Sequence, residues 1–103
     1  MSIKDRVAII TGAGRGVGRA TALRFAREGA RVVLFSRTPA PLNDLAADIA
    51  HRGYPFLTVV GDVSREEDVQ ALFQQAMQAF KRVDILVNCA GIVAVQPFAE
   101  MDA

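Results

Sequence analysis

Four short apolar runs, separated by stretches with helical spacing, constrain the fold of this chain more than any other feature. The runs cover residues 7–10, 31–35, 56–60 and 85–87. Their apolar residues are nearly continuous rather than alternating, which is typical of parallel strands covered by helices on both faces. The alternation of strands and helices therefore predicts right-handed crossovers and a parallel sheet in an α/β domain.

Helical patterns fill the intervals between the predicted strands. Apolar residues within 42–50 and within 69–80 recur at positions i, i+3, i+4 and i+7, as on one face of an amphipathic helix. Residues 17–28 are less amphipathic, but their alanines and leucine favour a helix, and Gly29 predicts its end. We therefore expect three helices between the four strands.

Two of these helices have recognisable start signals. Thr38 before Pro39 predicts a capping residue followed by proline in the first turn. Ser64 with Glu67 fits a capping box at the start of the third helix.

Composition limits the classes of partner. A chain of 103 residues, 51% hydrophobic and 22% charged, suits one globular domain. Its 12 basic and 11 acidic side chains nearly cancel, which disfavours nucleic acid and membrane surfaces as partners. The chain has a single cysteine and no signal-peptide pattern, and no apolar run approaches the length of about 20 residues that spans a bilayer. These features predict a soluble cytoplasmic protein.

The segment directly after the first predicted strand is rich in glycine and opens the first predicted helix. It reads Thr11-Gly12-Ala13-Gly14-Arg15-Gly16-Val17-Gly18. Glycines permit a tight turn there and bring backbone N–H groups close to a pyrophosphate at the positive end of the helix dipole. The strict G-x-G-x-x-G spacing does not fit, because it would need glycine at Val17 or Arg19. The spacing is T-G-x-x-x-G-x-G.

This spacing resembles the cofactor motif of the short-chain dehydrogenase/reductase family. Two further segments carry the resemblance: Gly61-Asp62-Val63 after the third strand and Asn88-Cys89-Ala90-Gly91 after the fourth. Together the segments cover the chain from Val7 to about Phe98. The resemblance implies a Rossmann-like doubly wound parallel sheet, truncated to about four strands in the order 3-2-1-4, with flanking helices. It also implies hydride transfer between a nicotinamide dinucleotide and a carbonyl or alcohol substrate.

The turn after the second strand indicates which dinucleotide is preferred. An acidic residue there would bind the ribose 2′-hydroxyl of NAD, whereas this chain has Ser36 and Arg37, which suit the 2′-phosphate of NADP. Arg15 resembles the basic residue that NADP-preferring family members carry before their second glycine. We therefore expect NADP(H) to be preferred over NAD(H). The alternative is that both arginines are ordinary solvated surface residues.

The resemblance implies a set of cofactor-binding residues along the carboxyl ends of the strands. For Asp62 it implies contact with the adenine amino group, for Val63 contact with the ring edge, and for Asn88 hydrogen bonds between strands. Ala90 and Gly91 resemble the small residues beside the ribose. Asp62, Asn88, Ala90 and Gly91 could equally be ordinary turn residues at the ends of their strands. The full set is Gly12, Arg15, Gly16, Val17, Gly18, Ser36, Arg37, Asp62, Val63, Asn88, Ala90 and Gly91.

No catalytic residue and no metal ligand is assigned. The family uses a Tyr-x-x-x-Lys pair and a serine, but the only tyrosine is Tyr54, and the residue four positions later is Thr58. Cys89 stands where the family often has a second asparagine. We interpret it as a buried, inert thiol, since the only histidine, His51, lies on a different predicted helix. No His, Cys or carboxylate cluster has metal-ligand spacing.

The end of the chain predicts an exposed sheet edge. Only residues 88–103 follow the fourth strand, so we expect no fifth strand, and residues 85–87 would lie at an apolar edge that favours self-association or a complementing chain. The chain is then a truncated or fragmentary family member of marginal stability. The other two hypotheses are a noncatalytic NADP(H)-binding module and a remnant that pairs with partner chains through that edge.

Overall fold

The computed structural model describes residues 2–89 and the backbone of residues 95–97. The predicted strands and helices are confirmed, with bounds shifted by at most three residues. In chain order the elements are β1 (Val7–Thr11), α1 (Gly16–Arg27), β2 (Arg31–Ser36), α2 (Pro39–His51), β3 (Phe56–Val60), α3 (Glu66–Phe80), β4 (Ile85–Asn88) and β5 (Val95–Pro97).

The sheet has the strand order β3-β2-β1-β4-β5, and its first four strands are parallel. The predicted order 3-2-1-4 is therefore confirmed. In the central strand, Ile10 is in register with Leu34 of β2 and Val87 of β4. Every residue of β1 is buried, which is why residues 7–10 are continuously apolar. Parallel pairing also brings the carboxyl ends of four strands to one edge of the sheet.

The prediction that no fifth strand fits is wrong. β5 pairs antiparallel with β4, with Leu86 opposite Gln96 and Val87 opposite Val95. A parallel neighbour would need a crossover of a dozen or more residues, whereas an antiparallel neighbour needs only a short return of the chain. The backbone edge of β4 is therefore paired, and association through a bare β4 edge loses the structural basis that the sequence predicted for it.

Helices cover both faces of the sheet. On one face, Ile10 and Leu34 pack with Leu42 and Ile49 of α2. On the other face, strand residues pack with Leu72 and Ala76 of α3 in a separate cluster that includes Ile9, Val33 and Phe35. Successive residues of β1 and β2 thus alternate between two cores.

The helix starts differ from the sequence prediction in their side-chain caps. Thr38 precedes α2 with Pro39 in the first turn, as predicted, although no side-chain cap forms there among the described residues. The capping box at Ser64 is wrong, because α3 begins after Arg65 and Ser64 bonds to Asp62 instead. A serine side chain bonds a nearby turn as readily as a helix start, and the aspartate two residues before it decides the competition here.

Asp84 joins the amino ends of β1 and β4. Its carboxylate accepts the Val7 N–H at 2.9 Å and pairs with Arg82 at 2.7 Å, and Arg6 lies 3.6 Å away. Burial raises the pKa of Asp84, but the hydrogen bonds from Arg82 and Val7 and the two arginine charges outweigh it and hold the pKa below its ordinary value. The ionised carboxylate therefore stabilises this end of the sheet.

Candidate functional site

A cleft of about 720 Å³ lies at the carboxyl ends of the parallel strands. It sits where successive crossovers turn to opposite sides of β1, the position at which open α/β sheets bind ligands. Nine of the predicted cofactor-binding residues line it. The lining residues are Gly12, Gly14, Arg15, Gly16, Val17, Gly18, Phe35, Ser36, Arg37, Thr38, Gly61, Asp62, Val63, Ser64 and Cys89.

Three glycines of the first turn are required, two for their backbone conformation and one for lack of space. Gly12 and Gly16 adopt φ of +62° and +58°, in the left-handed region that side chains disfavour. Gly18 has no room for a side chain, because a Cβ there would collide with the carbonyl oxygen of Gly12 and lie 2.7 Å from its carbonyl carbon. The turn and the start of α1 therefore pack backbone against backbone.

The amino end of α1 presents to this cleft backbone donors that lack an intrahelical acceptor. The helix begins at Gly16, and its first backbone bond runs from the Arg19 N–H to the Arg15 carbonyl at 3.3 Å. The N–H groups of Gly16, Val17 and Gly18 precede that bond and have no intrahelical acceptor. They lie at the positive end of the helix dipole, which favours an anion.

The turn after β2 contributes hydroxyl and guanidinium groups. The Phe35 carbonyl accepts the Ala13 N–H at 3.2 Å, which ties this turn to the glycine-rich one. Ser36 Oγ accepts the Thr38 N–H at 3.3 Å, so its own proton remains for another acceptor. Arg37 is exposed at the cleft. Residues 36–43 contain no carboxylate, so the turn is positively charged.

The turn after β3 contributes an ionised acceptor. Asp62 Oδ1 accepts hydrogen bonds from the Ser64 N–H at 2.9 Å and the Ser64 hydroxyl at 2.8 Å. These two bonds, with the charges of Arg37 and Arg65, hold the pKa of Asp62 below its ordinary value. Beside it, the apolar side chain of Val63 is 42% exposed.

Gly61 explains how this turn approaches β2. A Cβ on Gly61 would lie 2.8 Å from the ring of Phe35, so only glycine fits against that buried ring. The Gly61 N–H also donates to the Ser36 carbonyl at 3.0 Å. The two turns are thus held together by packing and by a backbone bond.

The end of β4 is bonded to the end of β1. Thr11 Oγ1 donates to Asn88 Oδ1 at 2.9 Å and accepts the Cys89 N–H at 3.2 Å. Asn88 links the strands without lining the cleft, whereas Cys89 lines it and is half-buried. Burial raises the pKa of the Cys89 thiol and a hydrogen bond with Thr21 lowers it by less, so the thiol is neutral at pH 7. Ala90 and Gly91 lie outside the described residues.

Sequence reasoning missed six cleft residues, namely Gly14, Phe35, Thr38, Gly61, Ser64 and Cys89. All six adjoin predicted residues in the chain, and Gly14 lies within the glycine-rich segment itself. Tyr54, by contrast, packs against the core on the α1 and α2 face. Among the described residues, no helix has the length and apolarity to cross a membrane, and no three metal-ligating side chains lie together.

Comparison with known proteins identifies relatives of this chain. A family described as short chain dehydrogenase matches residues 6–103. The chain is 40% identical over 92 residues to the (2S)-[(R)-hydroxy(phenyl)methyl]succinyl-CoA dehydrogenase subunit BbsD of Thauera aromatica, covering 89% of this chain and 37% of that protein. It is 44% identical over 89 residues to an uncharacterized oxidoreductase of Mycobacterium tuberculosis, covering 86% and 34%.

Solved structures share the fold. A short chain dehydrogenase/reductase from Burkholderia phymatum in complex with NAD has a TM-score of 0.82 and 36% identity, covering 84% of this chain and 31% of that chain. A hydroxysteroid dehydrogenase from Escherichia coli has a TM-score of 0.81 and 34% identity, covering 84% and 37%. The chain thus spans about a third of the length of these relatives.

Proposed function

The chain belongs to the short-chain dehydrogenase family, and from this premise we propose that its cleft binds a nicotinamide dinucleotide, with NADP(H) preferred over NAD(H). One observation carries the proposal: a glycine-rich helix start, an arginine-bearing turn and an ionised aspartate line a single cleft. These suit the diphosphate, the ribose 2′-phosphate and the adenine, in that order. The NAD complex of the Burkholderia relative supports this class of ligand.

The diphosphate is assigned to the amino end of α1. The N–H groups of Gly16, Val17 and Gly18 would donate to its oxygens, and the left-handed conformation of Gly12 and Gly16 lets the backbone approach without side chains. The exposed Val17 side chain would pack beside the cofactor.

The 2′-phosphate is assigned to the turn after β2 and to the glycine-rich turn. Ser36 would donate a hydrogen bond, and Arg37 and Arg15 would supply charge. The absence of a carboxylate from residues 36–43 supports NADP(H), because such a group would repel the phosphate and would bind a 2′-hydroxyl instead.

The remaining contacts follow the family. Asp62 would accept a hydrogen bond from the adenine amino group, and Val63 would contact the edge of the adenine ring. Ala90 and Gly91 would lie beside a ribose. Asn88 would act indirectly, by holding the ends of β1 and β4 together.

Residues 1–103 are proposed to form the dinucleotide-binding domain of an oxidoreductase that transfers hydride between NADP(H) and a carbonyl or alcohol. None of the cleft residues in the described part of the chain is a tyrosine or lysine, so we assign cofactor binding and no proton transfer to it. A cytoplasmic location stays a prediction from the sequence.

Titration of the purified protein with NADPH and with NADH, followed by nicotinamide fluorescence, tests the proposal. NADPH should bind more tightly than NADH. Arg37→Ala should weaken the affinity for NADPH by roughly tenfold or more, because one charge-assisted contact to the phosphate is lost, and should change the affinity for NADH little. Arg27→Ala is the matched control, because Arg27 is an exposed arginine in the last turn of α1. Absence of binding to both dinucleotides would overturn the proposal, and equal affinities would overturn the NADP preference.

A further inference from the structure

We infer that Ser64 is a positioning residue that orients the Asp62 carboxylate so that one oxygen receives the 6-amino group of a purine. The inference rests on the proposed function, because it takes the cleft to be the site of an adenine dinucleotide. It goes beyond that function because it assigns selectivity for the base to Ser64, which acts on the base indirectly by orienting Asp62.

The backbone of Asp62 is held on both sides. Its N–H donates to Asp68 Oδ2 at 3.0 Å, and its carbonyl accepts the Arg65 N–H at 3.0 Å. Asp68 lies in the first turn of α3, and Gly61 is packed against the Phe35 ring. The position of the Asp62 Cα is thereby set by β2 and by α3, which leaves the side-chain rotation as the remaining freedom.

Ser64 removes that freedom through a single carboxylate oxygen. Both its N–H and its hydroxyl donate to Asp62 Oδ1, at 2.9 and 2.8 Å. Among residues 2–89, no donor bonds the second oxygen, Oδ2. Because Asp62 lines the cleft, Oδ2 is the acceptor that remains for a ligand.

The chemistry of this acceptor selects the base. The Ser64 bonds hold the pKa of Asp62 below its ordinary value, so the carboxylate is ionised at pH 7 and only accepts hydrogen bonds. A 6-amino group donates to it, whereas a 6-oxo group opposes it with a second acceptor. A site built for a hydrogen bond rejects an analogue that cannot make it more strongly than an apolar site does. The cleft should therefore prefer adenine over hypoxanthine.

The test compares NADPH with its hypoxanthine analogue, in which a carbonyl replaces the 6-amino group. We expect the protein to prefer NADPH by about tenfold or more, since a hydrogen bond to a charged group is at stake. Ser64→Ala should reduce this preference to roughly threefold or less, because the carboxylate then keeps only the backbone N–H of residue 64 and can turn toward Arg37, Arg65 or water. Ser64→Thr keeps the hydroxyl and should restore the preference, and Ser2→Ala, at an exposed serine outside the cleft, should leave it unchanged.

Asp62→Asn provides a second test that does not need a Ser64 variant to fold. An amide can donate to a 6-oxo group, so this variant should bind the hypoxanthine analogue at least as tightly as NADPH. Equal binding of both dinucleotides by the unaltered protein, or an unchanged preference in Ser64→Ala, would overturn the inference while leaving the proposed function in place. Failure to bind either NADPH or NADH would instead overturn the proposed function, and with it this inference.

Discussion

Thr11 Oγ1 donates a hydrogen bond to Asn88 Oδ1 at 2.9 Å, and this bond joins the carboxyl ends of β1 and β4. The two residues are Cα partners in the sheet, and Thr11 is only 4% exposed. The same hydroxyl accepts a hydrogen bond from the Cys89 N–H. One buried oxygen therefore fixes both the last residue of β4 and the cleft residue that follows it. A hydroxyl with both roles cannot be replaced by an apolar group of the same shape without loss.

Thr11→Val should therefore destabilise the protein by about 1–3 kcal/mol, because the partly buried Cys89 N–H loses its acceptor and Asn88 loses one donor. Chemical denaturation measures the change in the free energy of unfolding. Thr58→Val is the control, since Thr58 lies half-buried on β3 outside the cleft and valine favours strands. Equal effects of the two substitutions would show that the β1–β4 bond contributes nothing specific.

Ser36→Asp should reverse the dinucleotide preference. The new carboxylate would repel a 2′-phosphate and would accept a hydrogen bond from a 2′-hydroxyl, so NADPH should weaken by roughly tenfold or more and NADH should bind more tightly. The ratio of the two affinities is the measurement. Asn43→Asp adds the same charge at an exposed position of α2 outside the cleft and should leave the ratio near that of the unaltered protein. An unchanged ratio in Ser36→Asp would contradict the assignment of this turn to the 2′-phosphate.

Gly16→Ala and Gly53→Ala form a matched pair. Both glycines have left-handed φ, +58° and +78°, and at both a Cβ would meet no atom within 4 Å. Each substitution should cost about 1–2 kcal/mol of stability from backbone strain alone. Only Gly16→Ala should weaken NADPH, because only Gly16 lies at the α1 start, where the diphosphate is proposed to bind. Thermal unfolding and titration separate the two effects, and equal loss of affinity in both variants would contradict the proposed diphosphate site.

Asp84 should give the protein an acid-sensitive stability. Its pKa is lower in the folded protein than the ordinary value of 3.8, so the native state binds fewer protons than the unfolded state as pH falls. The stabilisation is fully present above that ordinary value and is lost as pH falls through the lower folded value. Asp84→Asn should cost about 1–3 kcal/mol at pH 7 and should flatten the decline in stability below about pH 4.

Denaturation curves recorded between pH 2.5 and pH 7 measure this dependence. Asp44→Asn, an exposed carboxylate on α2, is the control and should keep the acid slope of the unaltered protein. An Asp84→Asn variant with that same slope would show that Asp84 does not couple folding to protonation.

The parallel strands and three helices were predictable from the sequence because their signals are local. Continuous apolar runs identify strands buried on both faces, and the spacing around Leu42 and Leu72 identifies a helix face. The glycine-rich turn was readable for the same reason, since left-handed backbone at Gly12 and Gly16 is a local requirement that few other residues meet. The family resemblance then supplied the strand order, which no local pattern contains.

Tertiary structure alone decided what depends on partners distant in the chain or on competition between neighbours. The spacing of Ser64 and Glu67 predicted a cap on α3. In the structure the Ser64 hydroxyl donates to the Asp62 carboxylate instead, because a charged acceptor makes the stronger bond. β5 was missed because strand pairing depends on an available edge rather than on the three residues that occupy it. The requirement for glycine at position 61 likewise arises from the Phe35 ring on another strand. Local backbone preferences depend on neighbouring residues in the chain, so the sequence reveals them. Competition between side chains and close packing depend on which elements come together in the folded protein, so only the structure reveals them.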